Sequence, residues 1–502
     1  SNKFLLQKVL RDEWKFPGYV FSDYSAIGML YYLHKTAESF EDAAFKALVS
    51  GVDLDAPTSD SYKFLLTLVN NKRIDTALID QACSRILTAK FKAGLFEKPY
   101  PDPGSIQKFV HTKAHIDLAR KVAEESVILL KNEGNLLPLD INKIKTLGVI
   151  GPNADQVQYG DYSCTRDNNT GITVLKGIRD LVGKKINIKY AKGCTITGLD
   201  KDGFMEAINV AKSSDVVILL LGGTSVIFSK LGWGKGLGKY ESEEPFTCGE
   251  NYDLSDIDPV GVQRDLAKAV CATGKPVVLI MIHGRSWSIS WEKEHIPAIL
   301  EAWYPGEQGG LAIAEILFGR VNPSGRLPVT IPQSVGHIPV FYNYKPSGKG
   351  DTYLPGSPEN PGRNYVFSSP DPLFPFGFGL SYTDFDYVKM DVSRETFSKN
   401  DTVHITVEIK NTGKMEGKEV VQLYVRDKIS SVTTPVISLK RFQKINLEPG
   451  ESKVVSFYIL PTDLALWNEN MQFVTEPGEF ELMVAKSAAD VKFRKVIKYI
   501  DE

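Results

Sequence analysis

The sequence predicts an α/β protein that closes in an all-β domain. Three observations carry this reading. Short apolar runs alternate with helix-period segments up to about residue 303, strict two-residue alternation takes over after Phe385, and a stretch rich in Gly, Pro and Asn separates the two textures.

Residues 1–101 come first in that order. Leu5, Leu6, Val9 and Leu10 recur at helical spacing, so 1–10 reads as an amphipathic helix already under way, without the basic and long apolar regions of a signal peptide. After the turn Phe16-Pro17-Gly18, the run Tyr19-Val20-Phe21 reads as a short strand ending in Ser22-Asp23-Tyr24. A helix is expected over 38–50 and a second strand at Gly51-Val52-Asp53-Leu54-Asp55. Two more helices follow, the last capped by Asp75 and stopped at Gly94. This βαβα order belongs to a parallel sheet or barrel, yet two strands cannot bury a sheet on both faces. Residues 1–101 are therefore expected to be the C-terminal part of a (β/α)8-type barrel whose earlier strands lie on another chain or were lost by truncation. Segments 1–10, 19–21 and 52–54 are expected to pack against such added strands, or failing that against the next domain.

Residues 99–105 (PYPDPGS) read as a linker. A long helix over 112–131 and strands at 146–151, 215–222, 276–283 and 298–303 predict an α/β domain over 112–345. Most of these strands are continuous apolar runs, as strands buried on both faces should be. Residues 346–384 read as an extended linker. In the last part, 385–502, Val403, Ile405, Val407 and Ile409 share one side of a strand, and 421–425 and 454–458 repeat the alternation. With turns at Asn411-Thr412-Gly413, Pro449-Gly450 and Pro477-Gly478, this spells an all-β sandwich.

Composition narrows the function classes. The 502 residues are 43% hydrophobic and 24% charged, with a net charge of −2 and no run of five like charges. That balance offers no electrostatic grip on nucleic acid or an anionic membrane surface. The longest apolar runs are strand length, far below the ~20 residues of a membrane span. The five cysteines lack CxxC spacing and allow at most two disulfides, and Cys83 and Cys271 read as small buried apolar residues. The seven histidines show no metal-ligand spacing beyond the His111/His115 pair at a helix start, and Gly222-Gly223 lacks the residues of a phosphate loop. No metal and no cofactor is expected.

Two places could hold chemistry. Asp23 follows a strand in an α/β setting, which in barrels is the catalytic face, although Ser22 or Asp23 could equally cap the next helix. The long loop 222–258 clusters Glu241, Glu243, Glu244, Glu250, Asp253, Asp256 and Asp258, and reads either as a site or as a solvated acidic loop. Trp233, Trp287, Trp291 and Trp303 are candidates for a sugar subsite, with Trp303 also reading as core.

The run Leu5-Leu6…Leu10-Arg11-Asp12-Glu13…Gly18-Tyr19-Val20-Phe21-Ser22-Asp23-Tyr24 resembles the nucleophile motif of glycoside hydrolase family 3. The likeness continues through Gly51-Val52-Asp53, Arg85-Ile86-Leu87, Glu125-Ser126-Val127-Ile128-Leu129-Leu130-Lys131-Asn132, 306–310, Asn322-Pro323-Ser324-Gly325-Arg326-Leu327-Pro328, Phe374-Pro375-Phe376-Gly377 and Leu439-Lys440-Arg441-Phe442. It implies a barrel, an α/β sandwich and a fibronectin type III-like domain in that order. It also implies Asp23 as catalytic nucleophile, Glu250 in Gly249-Glu250-Asn251-Tyr252-Asp253 as acid/base, and Glu243, Glu244 and Glu241 as alternates. Tyr24 replaces the tryptophan that often follows the nucleophile and keeps an aromatic platform for the substrate. Leu254 replaces the arginine common after the loop aspartate.

The implied activity is that of a retaining exo-β-glycosidase, in which one carboxylate attacks the anomeric carbon and a second protonates the leaving oxygen. Terminal β-D-glucosyl residues of oligosaccharides are the first expectation and β-xylosyl residues the alternative. A non-catalytic carbohydrate-binding or scaffold remnant is the reading from another class. The implied partners are a β-glycoside substrate and either an N-terminal barrel fragment or a second copy of the chain. The resemblance favours a periplasmic or secreted setting, with a cytoplasmic one as the alternative.

Overall fold

The computed structural model describes residues 2–163, 170–225, 246–250, 252–347 and 368–501. The chain forms two compact units, Ser1–Thr112 and Lys113–Glu502.

In the first unit, the expected opening helix spans Phe4–Glu13 but is wound wide, with Trp14 N–H reaching Val9 O at 2.9 Å. Helix Phe40–Ser50 begins at Ser39, whose side chain accepts the Asp42 N–H, and closes on Gly51 at φ +104°. Helix Thr76–Lys92 starts after Asp75, which accepts the Ala77 N–H, as expected. Cys83 faces solvent on that helix, contrary to expectation, because its neighbour Ala82 takes the core position. The two expected strands contract to one parallel bridge, Phe21↔Leu54. Around it Ile27, Ala43, Ala47 and Val52 make a small core, onto which Leu6 and Val20 pack.

The second unit opens with a six-stranded sheet. Its strands are β1 (Ile128–Asn132), β2 (Thr146–Ile150), β3 (Asn187–Ala191), β4 (Val216–Gly222), β5 (Val277–Ile282) and β6 (Ala298–Glu301). The order is β1-β6-β5-β4-β2-β3, parallel throughout except for β1, which runs antiparallel to β6. Ile218 and Leu220 enter one core with the helices Val174–Val182 and Gly309–Leu317, while Val217, Leu219 and Leu221 enter the opposite core with Phe204–Lys212 and Gln263–Cys271. Burial on both faces is why these strands read as unbroken apolar runs.

The expected helix 112–131 is corrected here. It ends at Ser126, and Ile128–Asn132 is an edge strand. Ile128 and Leu129 lie in opposite cores, a demand that a strand meets and a helix with one apolar face does not. Strand β3 was not expected, because its residues are half-buried at the sheet edge and carry little apolar signal.

Eight further strands build the C-terminal sandwich, and β13 and β14 pair apart from it: β7 (Phe385–Val392), β8 (Thr396–Phe397), β9 (Val403–Asn411), β10 (Gly417–Asp427), β11 (Ser438–Leu447), β12 (Ser452–Ile459), β13 (Leu466–Trp467), β14 (Phe473–Val474), β15 (Gly478–Ser487) and β16 (Asp490–Tyr499). One sheet has the order β11-β10-β15-β16-β8 and faces another ordered β12-β9-β7. Val403, Ile405, Val407 and Ile409 point into the shared core against Leu423, Leu482 and Val484.

Candidate active site

Asp23 stands directly past the end of the bridged segment in the first unit. Ser22 N–H donates to Leu54 O at 3.0 Å, and Ser25 N–H to Ala56 O at 2.7 Å. Buried Ser22 accepts the Ala56 N–H through Oγ at 2.9 Å, so its hydroxyl braces the neighbouring chain and is not a helix cap. The next helix, Ala26–Tyr32, follows Ser25 at φ +60° without a side-chain cap. Asp23 is exposed, and its Oδ1 accepts the N–H of Tyr24 at 2.6 Å. Tyr24 is itself 47% exposed. The capping alternative weighed from sequence is therefore not what these side chains do.

Sequence reasoning gave no role to the group that pins this segment. Asp53, 6% exposed, accepts the Val20 N–H at 2.7 Å, Arg11 Nη2 at 2.9 Å and Arg85 Nη1 at 2.8 Å. Arg11 also donates to the carbonyls of Phe16 and Gly18. Burial, and then the neighbouring Arg85, lower the Arg11 pKa against the pull of Asp53. The available signal was one acid inside the short apolar run Gly51-Val52-Asp53-Leu54, a position that a buried carboxylate holds only when paired.

In the second unit, residues 246–250 lie by the C-terminal ends of β4, β5 and β6. Gly222, at φ +144°, crosses so near β5 that a Cβ would meet Ile282 O at 1.9 Å. A parallel bridge joins Ser225 to Cys248, and Thr224 and Thr247 exchange backbone and side-chain bonds of 2.9–3.0 Å. Two residues on, Glu250 is exposed. Its N–H donates to Asp161 Oδ2 at 2.8 Å, and its carboxylate accepts the Tyr162 hydroxyl. Arg285 donates to Tyr252 O at 2.6 Å and lies 3.7 Å from Asp253. Glu241, Glu243, Glu244 and Trp233 lie outside the described residues. Trp287 is buried and Trp303 packs against the same core, while Trp291 stacks on His295 at 4.4 Å. Asp23 and Glu250 thus belong to different compact units. An exposed carboxylate next to a phenol and an aspartate can exchange a proton with a ligand, and an exposed carboxylate at a pinned strand end can act as a nucleophile.

Residues 127–382 match the model of the glycosyl hydrolase family 3 C-terminal domain. Residues 1–89 match the N terminal domain of the same family, and 419–488 a fibronectin type III-like domain. The chain belongs to glycosyl hydrolase family 3. Among family relatives, a β-xylosidase of Formosa agariphila is 42% identical, with 97% of this chain and 66% of the relative covered. A periplasmic β-glucosidase of Salmonella typhimurium is 38% identical, with 98% and 65% covered. The crystal structure of a β-glucosidase from Listeria innocua in complex with isofagomine superposes with a TM-score of 0.86 at 31% identity, covering 100% of this chain and 66% of that one. This family 3 chain therefore spans just under two thirds of the length of these relatives.

Proposed function

We propose that the protein is a retaining exo-β-glycosidase that removes terminal non-reducing β-D-glucosyl residues, with Asp23 as nucleophile and Glu250 as acid/base. The observation that carries the reading is Asp23 itself: an exposed carboxylate directly past a strand end held by Asp53 and Leu54, in the motif that resembles the family nucleophile. In this mechanism Asp23 attacks the anomeric carbon while Glu250 gives its proton to the departing glycosidic oxygen. Glu250, now a carboxylate, takes a proton from water, which releases the sugar from Asp23 with its β-configuration retained. The Tyr162 hydroxyl and Asp161 hold Glu250, and the Tyr24 ring offers a face for the sugar. A β-xylosyl substrate is the second reading, favoured by the relative at 42% identity, which is named a β-xylosidase.

A 2-deoxy-2-fluoroglycosyl inhibitor should label Asp23, and Asp23→Ala should lose roughly 10³-fold or more in turnover. A label on another residue would sink the assignment. Glu250→Ala should be impaired far more on disaccharides than on dinitrophenyl glycosides, which leave without a proton, and azide should restore it. Equal losses on both substrates would move the role to Glu243, Glu244 or Glu241. Relative rates on aryl β-glucoside and β-xyloside decide the sugar.

A further inference from the structure

A buried imidazole and a buried carboxylate meet behind the Glu250 loop, and the proposed reaction uses neither. His283 follows β5 and Glu301 ends β6; they are 1% and 2% exposed, and Nε2 lies 3.1 Å from Oε2, a close contact outside hydrogen-bond geometry. Trp287 stacks on the His283 ring at 5.1 Å with planes 3° apart, and Trp303 meets its edge at 5.6 Å. The second oxygen of Glu301 accepts the backbone N–H of Trp303 at 3.1 Å. Trp303 sits at φ +52°, a left-handed conformation that a bulky residue holds only when its surroundings enforce it.

Tyr304 follows that turn directly. The Tyr304 hydroxyl lies 2.9 Å from Cys248 Sγ, and Cys248 also reaches Thr224 O. Gly284 leaves room for the contact, since a Cβ there would lie 2.7 Å from the Tyr304 ring and 2.8 Å from the Cys248 sulfur. Cys248 is two residues before Glu250. A contiguous path therefore runs from His283 through Glu301, Trp303, Tyr304 and Cys248 to Glu250.

We infer that the His283–Glu301 pair is a positioning element for the acid/base loop: Glu301 holds the left-handed turn at Trp303, and Tyr304 carries that constraint to Cys248 and Glu250. The inference rests on the reading of Glu250 as acid/base, so its test has one readout that does not depend on catalysis. In the intact protein, iodoacetamide labelling of Cys248, followed by peptide mass, should be slow, and Glu301→Ala, which removes the acceptor of the Trp303 backbone N–H, should speed it about tenfold. Tyr304→Phe, which removes only the hydroxyl, should do the same even if Glu301→Ala folds poorly. In turnover, both variants should lose about tenfold on a disaccharide and less than about twofold on a dinitrophenyl glycoside, in the pattern of Glu250→Ala. Unchanged Cys248 labelling in Tyr304→Phe would overturn the path itself. Faster labelling with equal losses on both substrates, while Glu250→Ala still discriminates between them, would overturn the positioning role alone. If Glu250→Ala also fails to discriminate, the acid/base reading and the positioning role fall together.

Discussion

Asp53 accepts the backbone N–H of Val20 at 2.7 Å, three residues before Asp23. The same carboxylate is shared by Arg11 and Arg85, so one buried acid fixes the strand end, the opening helix and the helix Thr76–Lys92 at once. Removing one partner of a buried ion pair leaves uncompensated charge and typically costs about 3–5 kcal/mol. Asp53→Ala should therefore accelerate amide hydrogen exchange at Val20 and Ser22 by at least about 100-fold, consistent with a loss of roughly 3 kcal/mol. Exchange within tenfold of the parent would show that the bridge to Leu54 holds the segment without this acid.

Glu125 joins the helix Lys113–Ser126 to the sandwich through Lys418 and Lys444. Burial raises its pKa, but the hydrogen bonds and charges of the two lysines outweigh that and hold it at about 2, against an ordinary 4.5. A carboxylate with a depressed folded pKa contributes stability above its unfolded pKa, and that contribution fades as pH falls from 4.5 toward 2. With solvent screening at this partly exposed site the contribution is about 1–2 kcal/mol. Glu125→Gln should lower the urea midpoint at pH 7, and the gap from the parent should close as the pH nears 2. A gap unchanged with pH would refute the linkage.

Asp427 presents the opposite sign. Burial, assisted by Glu476 and opposed by the Ile429 backbone N–H, pushes its carboxyl up to about 6, and among the described residues its Oδ1 has no hydrogen-bond partner. An acid with a raised folded pKa favours the fold while protonated, so stability is lost as pH rises from 3.8 through about 6. Asp427→Asn should therefore raise the melting temperature at pH 8 by a few degrees and leave it unchanged near pH 4. No difference between the two pH values would contradict the placement of this carboxylate.

Much of the architecture was legible because burial on two faces writes continuous apolar runs and burial on one face writes alternation. Leu219 and Leu220 show the first pattern, and Ile405 and Val407 the second. Where a strand was short or at an edge, the signal failed. Ile128–Asn132 continued the helical texture before it, and Asn187–Ala191 carried too few buried residues to stand out.

By itself the sequence determined the order of α/β and all-β parts, the capped helix at Asp75, and the motif around Asp23 with its family resemblance. Those follow from local periodicity and from residues adjacent in the chain. Only the tertiary structure decided that Ser22 braces Ala56, that Asp53 gathers Arg11 and Arg85, and that His283 meets Glu301 behind Tyr304 and Cys248. Each of these pairs 18 or more residues across the sequence. A buried polar group takes whichever partner folding brings to it, and the cost of leaving it unpaired is set by burial that no local pattern records.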